Sequence, residues 1–295
     1  EVVEKFKLEV LHVHYAIPHA YAAYMAKQML IQKGINVKVV TTLHGTDITL
    51  VGSHPTYKTA VEFSINQSDE VTAVSRSLRD DTLRLFTIEK EIEVVYNFID
   101  ADKYSNNNEE CQRGALALPE EKILTHVSNF RPVKRTEDVI KIFNQVQNEI
   151  PSKLLMVGDG PDRLKAENLV AHLNLENKVL FLGNSNEVAK ILCYTDVFLL
   201  PSKTESFGLA ALEAMAAGTA VISTNTGGLP EVNIHGETGF TSNLGDVNDM
   251  AKNTIGLLSD DTQLTRFKQN AVNHARKFSL ERVLPEYEAI YASCF

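Results

Sequence analysis

Tryptophan is absent from the 295 residues, but 13 Phe and 9 Tyr leave aromatic volume for two hydrophobic cores. Cysteine is scarce. Cys111, Cys193 and Cys294 are widely spaced and odd in number, with no CxxC pair and no Cys/His cluster, so no zinc site is indicated. Cys193 lies in an apolar, helix-like stretch and reads as a core residue. Few cysteines and no signal peptide point to the cytoplasm. No apolar run approaches the length of a membrane span. Basic residues are outnumbered, 29 Lys and Arg against 38 Asp and Glu, for a net charge of −9. That balance excludes a binder of nucleic acid or a polybasic membrane binder, because a phosphate backbone demands a basic face. It leaves room for a local cationic pocket, and Asn129–Arg135 (NFRPVKR) is one.

What is present is a globular chain longer than one ordinary domain, 44% hydrophobic and 23% charged. Short β-branched or apolar runs alternate with helical patterns, as in βαβ units with a parallel sheet. Strands are expected at Val10–His14, Val37–Leu43, Glu70–Ala73 and Ile92–Val95, with helices at Ala20–Lys33, Thr56–Gln67 and Ser75–Phe86. Asp100–Leu118, which holds the polar run SNNNEE, breaks the rhythm as a linker. A second series follows. Its strands are Lys122–Ser128, Lys153–Val157, Val179–Leu182, Val197–Leu200 and Ala220–Ser223. Its helices are Thr136–Gln147, Asp162–Asn174, Glu187–Tyr194 and Gly208–Ala217. From Asp246 onward the pattern is mostly helical. The reading is α/β, with domains at 1–105 and 106–277 and a final segment, 278–295. Glu1–Lys7 reads as the end of an amphipathic helix, so the first domain is expected to be entered midway. In such folds ligands sit at the carboxyl ends of the strands.

Four elements fall at those ends. ESFGLAALE (Glu205–Glu213) follows the strand Val197–Leu200 and opens a helix. The amides of Phe207, Gly208 and Leu209 are then helix N-terminal donors, an anion site. A carboxylate there repels phosphate, so Glu205 and Glu213 suit sugar hydroxyls better. SNFRPVKR (Ser128–Arg135) supplies cations where a leaving diphosphate gathers charge. TTLHGTD (Thr41–Asp47) presents His44 before a Gly that permits close approach, with Asp47 near enough in sequence to form an acid–base pair. LHVHY (Leu11–Tyr15) puts His12 and His14 on one side of a strand. No carboxylate accompanies them as a third ligand, so no metal is expected. His14 and Tyr15 are read as facing an acceptor and His12 as a core histidine.

Glu205 and Glu213 form an E-x7-E element, and VGDGP (Val157–Pro161), FLG (Phe181–Gly183) and GGLPE (Gly227–Glu231) accompany it in order. Together these resemble the retaining family-4 glycosyltransferases of the GT-B fold. The resemblance implies two Rossmann-like domains facing across a cleft, the first partial at its N-terminus, without the family's opening strand and Gly-rich loop. It implies Glu205 on donor-sugar hydroxyls, Glu213 on the nucleotide ribose, and the diphosphate at Phe207, Gly208 and Leu209. Gly158, Gly160 and Gly183 would line the nucleotide pocket, and His44 would contact the sugar near the reacting centre. Lys134 matches the family's Lys. Asn129 stands where an Arg is usual, and Arg131 could take that role. The family implies no metal, no cofactor, domain closure, and a final helix at Leu280–Tyr291 crossing back onto the first domain. HVHYAIPHA (His12–Ala20), TTLHGTDIT (Thr41–Thr49), VYNFID (Val95–Asp100) and SNFRPVKR are closer still. They resemble family members that move N-acetylglucosamine from UDP-GlcNAc to L-malate in bacillithiol biosynthesis. For that acceptor the resemblance offers Tyr15, Thr46, Arg76 and Asn97. The partners are then a UDP-sugar and malate, with no nucleic acid, no stable membrane insertion, and a homo-oligomer left open. A different acceptor, or a module that binds the nucleotide sugar without turning it over, are the alternatives.

Overall fold

The computed structural model describes residues 1–52, 54–104 and 113–295, with the side chain of Ala115 excepted. Glu1–Phe98 and Leu280–Phe295 form one compact unit, and Ile99–Ser279 form a second. The SNNNEE run, Cys111 and the expected boundary between 105 and 106 lie outside the described residues.

In the first unit, β1 (Val10–His14), β2 (Lys38–Leu43), β3 (Glu70–Ala73) and β4 (Glu93–Val94) make a parallel sheet in that order. A short helix α1 (Val2–Phe6) precedes β1. The crossovers carry α2 (Tyr21–Ile31), α3 (Pro55–Asn66) and α4 (Arg76–Leu85). Pro55 stands in the first turn of α3, where its missing N–H costs nothing, and Ser75 caps α4 by accepting the Leu78 amide at 3.0 Å. The last helix, α13 (Leu280–Ser293), belongs to this unit. Its Val283, Tyr287 and Ile290 pack with Val40 of β2 and Val95.

In the second unit, β5 (Lys122–Val127), β6 (Ser152–Val157), β7 (Val179–Gly183), β8 (Val197–Leu200), β9 (Ala220–Thr224) and β10 (Gly239–Ser242) form one parallel sheet. Its order is β10-β9-β8-β5-β6-β7. The order reverses between β5 and β8, so the loops that leave these two neighbours diverge. That is the topological switch point of a doubly wound sheet. The helices are α5 (Ala101–Tyr104), α6 (Thr136–Glu149), α7 (Arg163–His172), α8 (Val188–Cys193), α9 (Leu209–Ala216), α10 (Leu229–Val232), α11 (Val247–Leu258) and α12 (Asp261–Ala275). The core lies between sheet and helices. Val139, Ile142, Phe143 and Val146 of α6 pack there with Leu154 and Met156 of β6 and Phe267 of α12.

The structure adds elements that the sequence reading leaves out: α5, α10 and β10. Each is four residues or shorter than a full amphipathic repeat and exists through its neighbours, β10 by pairing with β9. Cys193, read as a core residue, is half-buried and disulfide-bonded, and Cys294 is free and buried. Among the described residues no helix is long and apolar enough to cross a membrane.

Asp196 ties the second unit together ahead of β8. It accepts the Ile123 amide at 2.9 Å, Arg113 at 2.8 Å and Lys268 at 3.0 Å. Burial alone would raise its pKa, but Lys268, the Ile123 amide and Arg113 hold it below the ordinary value. Removing it leaves an amide and two cations uncompensated. Asp196→Ala is therefore expected to cost about 3 kcal/mol, read from the urea midpoint of unfolding. A loss below about 1 kcal/mol would place the carboxylate in the weak class of exposed ion pairs.

Candidate functional site

The second unit gathers its polar motifs at the switch point. The loop leaving β5 runs through Asn129 to a short turn, Pro132–Lys134, before α6. The loop leaving β8 carries Ser202 and Glu205 to α9. Lys134 Nζ lies 2.5 Å from Glu205 Oε1, and Ser202 donates to the same oxygen at 2.9 Å. Glu205 Oε2 takes neither bond. The loops are also joined through their backbones, the Lys203 amide donating to the Val133 carbonyl at 2.7 Å. Arg131 is exposed just before the Pro132–Lys134 turn.

Two glycine contacts set these loops in place. A Cβ at Gly158 would stand 1.8 Å from the Ser128 carbonyl oxygen, and one at Gly160 2.0 Å from that of Asn129. Only glycine lets the loop after β6 lie against the loop after β5, and both residues have a positive φ. Gly183 continues this edge, its carbonyl accepting the Gly158 amide at 2.8 Å. Likewise the Gly227–Gly228 turn presses on the Glu205 backbone, with the Gly228 amide donating to the Glu205 carbonyl at 2.9 Å.

Helix α9 begins after Gly208, which has a φ of 101° as its N-cap. Phe207 and Gly208 are buried, and Leu209 is exposed as the first helical residue. The helix N-terminus thus lies three residues past Glu205, with the positive end of its dipole there. Glu213, on α9, faces elsewhere than Glu205. It hydrogen-bonds Tyr104 of α5. Burial raises its pKa, with Tyr104 and the Lys103 charge working against that. Lys103, Tyr104, Ser185, Asn186 and Glu213 line a cavity of about 370 Å³.

In the first unit the expected residues sit at the carboxyl ends of successive strands: Tyr15 after β1, His44 and Thr46 after β2, Arg76 after β3 and Asn97 after β4. Two of them meet directly, the Tyr15 and His44 rings lying 4.9 Å apart. Tyr15 has a φ of 75°, and its amide donates to the Thr42 carbonyl at 2.8 Å. Thr46 and Arg76 are exposed and Asn97 half-buried. His14 Nδ1 is 2.9 Å from His44 Nε2, and His19 donates to the His14 carbonyl at 2.6 Å.

Asp47 does not pair with an imidazole. It is 2% exposed and accepts the amides of Ala16 at 2.8 Å and Gly45 at 3.0 Å, so it shapes the two loops around His44. His12 is a hydrogen-bonded histidine of the sheet, with Nδ1 2.7 Å from the Tyr291 hydroxyl and Nε2 2.7 Å from Thr42 Oγ1. Sequence reasoning missed Tyr104, Ser202 and Tyr291. Tyr104 falls in the stretch read as linker, and the other two belong to no motif.

The family model for glycosyl transferases group 1 matches residues 108–274, and that for Glycosyltransferase Family 4 matches 1–103. The chain is 46% identical over 293 residues to the N-acetyl-alpha-D-glucosaminyl L-malate synthase of Bacillus anthracis, covering 99% of this chain and 76% of that protein. It is 30% identical to a D-inositol 3-phosphate glycosyltransferase of Corynebacterium efficiens, over 68% of this chain and 50% of that protein. Among solved structures it resembles sucrose-phosphate synthase from Thermosynechococcus elongatus, with a TM-score of 0.85 at 22% identity, covering 99% of this chain and 75% of that one. It also resembles Anabaena HepE in complex with UDP, with a TM-score of 0.86 at 21% identity, covering 99% of this chain and 81% of that one. These structures share its fold, two parallel-sheet α/β domains of the GT-B kind.

The histidine cluster has a measurable signature. Burial first, then the charge of His14, pushes His12 from the ordinary 6.5 down to about 4. Burial, then His14 and His12, pushes His44 to about 4, and His14 is lowered by burial and by His19. Between about 4 and 6.5 the unfolded chain binds more protons than the folded one, so these groups make stability fall as pH drops through that window. Asp47, raised by burial, works in the opposite sense. Imidazole NMR at pH 5.5 is expected to show His12 and His44 neutral, and the urea midpoint to decline from pH 7 to pH 5. A charged His44 at pH 5.5 would contradict the packing described.

Proposed function

The chain belongs to the group 1 and family 4 glycosyl transferases, and from that premise we propose that it moves N-acetylglucosamine from UDP-GlcNAc to the hydroxyl of L-malate, with retention at the anomeric carbon. The transfer chemistry is carried by one observation, the Lys134–Glu205 contact at the switch point of the second unit. The choice of donor and acceptor is supported by the name of the 46% identical Bacillus anthracis relative.

Breaking a sugar–phosphate bond places growing charge on the leaving diphosphate. A fixed cation and fixed amides lower that barrier because they need no reorganisation as the charge develops. Lys134 supplies the cation, with Arg131 on the same loop. The start of α9 at Phe207, Gly208 and Leu209 supplies the amides. Glu205, oriented through Oε1 by Lys134 and Ser202, keeps Oε2 for a sugar hydroxyl. Glu213 receives the ribose in exchange for Tyr104, and Gly158, Gly160 and Gly183 give the nucleotide a backbone wall. His44, neutral at pH 7 through its lowered pKa, contacts the sugar near the reacting carbon without adding charge. Malate, a dianion, is recognised by Arg76 together with Tyr15, Thr46 and Asn97. The leaving phosphate takes the proton of the acceptor hydroxyl, so this reading needs no separate base. The cytoplasm is the compartment consistent with this reading.

Incubated with UDP-GlcNAc, the chain is expected to release UDP only when L-malate is added. Release with other acceptors alone would remove malate from the proposal, and donor binding without any release would reduce the chain to a nucleotide-sugar-binding module. Lys134→Ala should lower kcat by about 100-fold while the donor KM changes little, since its charge matters most as the diphosphate leaves. Steady-state UDP release measures both, and an unchanged kcat would remove Lys134 from the chemistry. Glu205→Ala should be nearly as damaging.

A further inference from the structure

Beneath the loop that carries Lys134 lies a histidine that the transfer chemistry does not use. His126 is on β5 and is fully buried. The ladder between β5 and β8 has its last register pair at Thr125 and Phe198. One step further along each strand stand His126 and Leu199, and there a side chain takes over from the backbone. His126 Nδ1 lies 2.8 Å from the Leu199 carbonyl oxygen, and Nε2 lies 2.8 Å from Ser128 Oγ.

The direction of every proton in this chain follows. A carbonyl only accepts, so Nδ1 carries the hydrogen. Burial pushes the imidazole down to about 4, the Leu199 carbonyl opposing that shift and Lys134 reinforcing it, so the ring is neutral at pH 7 and Nε2 is bare. The Ser128 hydroxyl therefore donates to Nε2. Its oxygen is then left to accept the Phe130 amide, 3.2 Å away. The sequence runs Phe130 N–H to Ser128 O–H to His126 to the Leu199 carbonyl, with no alternative arrangement at either end.

What this chain holds is the root of the basic loop. Phe130 has a φ of 39°, in the left-handed region that costs a bulky residue energy, and its side chain is fully buried. Its carbonyl accepts the Asp162 amide at 2.9 Å. From there the loop passes to Lys134, whose amide donates to the Arg131 carbonyl at 2.8 Å. The opposite end of the chain is β8, the strand whose loop presents Glu205. His126 thus grips both loops of the switch point at their base, while Lys134 and Glu205 meet at their tips.

We infer that His126 is a positioning residue for the transfer step, acting through Ser128 to hold the Lys134 ammonium in register with Glu205 and the leaving diphosphate. The inference rests on the role given to Lys134 under the proposed function. A histidine that merely filled the core would affect folding stability and leave turnover by the folded enzyme unchanged.

The test uses the full chain and leaves His126 itself in place, because its removal from a fully buried site threatens folding. Ser128→Ala removes the hydroxyl and Ser128→Thr retains one. In Ser128→Ala, kcat is expected to fall about tenfold or more, as displacement of a positioned group does, with UDP affinity unchanged within about twofold. Ser128→Thr should restore most of the turnover. Long-range proton–nitrogen NMR of the histidines should show His126 protonated on Nδ1 in the wild-type chain. Unaltered kcat in Ser128→Ala, an equal fall in both variants, or a His126 protonated on Nε2 overturns the inference. Lys134→Ala, measured in parallel, separates the two possible failures. Full turnover there overturns the reading on which the inference rests, whereas an inactive Lys134→Ala beside a fully active Ser128→Ala overturns the inference alone.

Discussion

The reversal of strand order between β5 and β8 is the constraint on which the second unit's chemistry depends. Two adjacent parallel strands whose connections leave in opposite directions open a crevice at their carboxyl ends. The chain sends its basic loop into that crevice from one side and its acidic loop from the other. Lys134 and Glu205, 71 residues apart in sequence, meet there at 2.5 Å. Neither loop is long, and neither has regular structure beyond one turn. Their geometry is imposed by what they leave and what they enter, β5 and α6 for one, β8 and α9 for the other.

Precision then comes from contacts too close for any side chain. Gly158 and Gly160 bring a second loop against the first, and Gly227 brings a third against Glu205. The same economy appears in the first unit through a carboxylate instead of glycine. Asp47 gathers backbone amides from the loops after β1 and β2, and so sets His44 beside Tyr15 and His14. In the first unit, then, a group that makes no contact with substrate in the proposed reaction decides where groups that do will stand.

Much of this was legible in the sequence, and the reason is periodicity. Strands such as Glu70–Ala73 and Val197–Leu200 are short apolar runs between turn residues, and their limits in the structure are those of the runs. The long amphipathic helix α6 announces itself by the same periodicity, while α11 and α12 were legible only as a mostly helical stretch. The E-x7-E element and the basic island were visible as motifs, although their mutual contact was not, because nothing local encodes a pairing across 71 positions. Pieces held by tertiary pairing alone escaped: β10, which exists beside β9, and α5, which carries Tyr104 to Glu213. The nearness of Asp47 to His44 in sequence left an acid–base pair open, but backbone amides take its carboxylate oxygens instead. His126 looked like any polar residue inside an apolar strand.

The first unit is built from both ends of the chain, Glu1–Phe98 and Leu280–Phe295, while the second is a single uninterrupted stretch. The second unit's ends lie side by side, the Ile99 amide donating to the Phe278 carbonyl at 3.0 Å. Synthesis from the N-terminus therefore delivers the two units out of order. The residues of the later-numbered unit have all emerged before Tyr291 exists to bond His12, or Val283 and Ile290 to cover Val40. Until α13 has emerged, the residues of the first sheet that it covers, Val40 among them, wait exposed. A nascent chain that stalls short of α13 presents a finished second unit attached to an unfinished first.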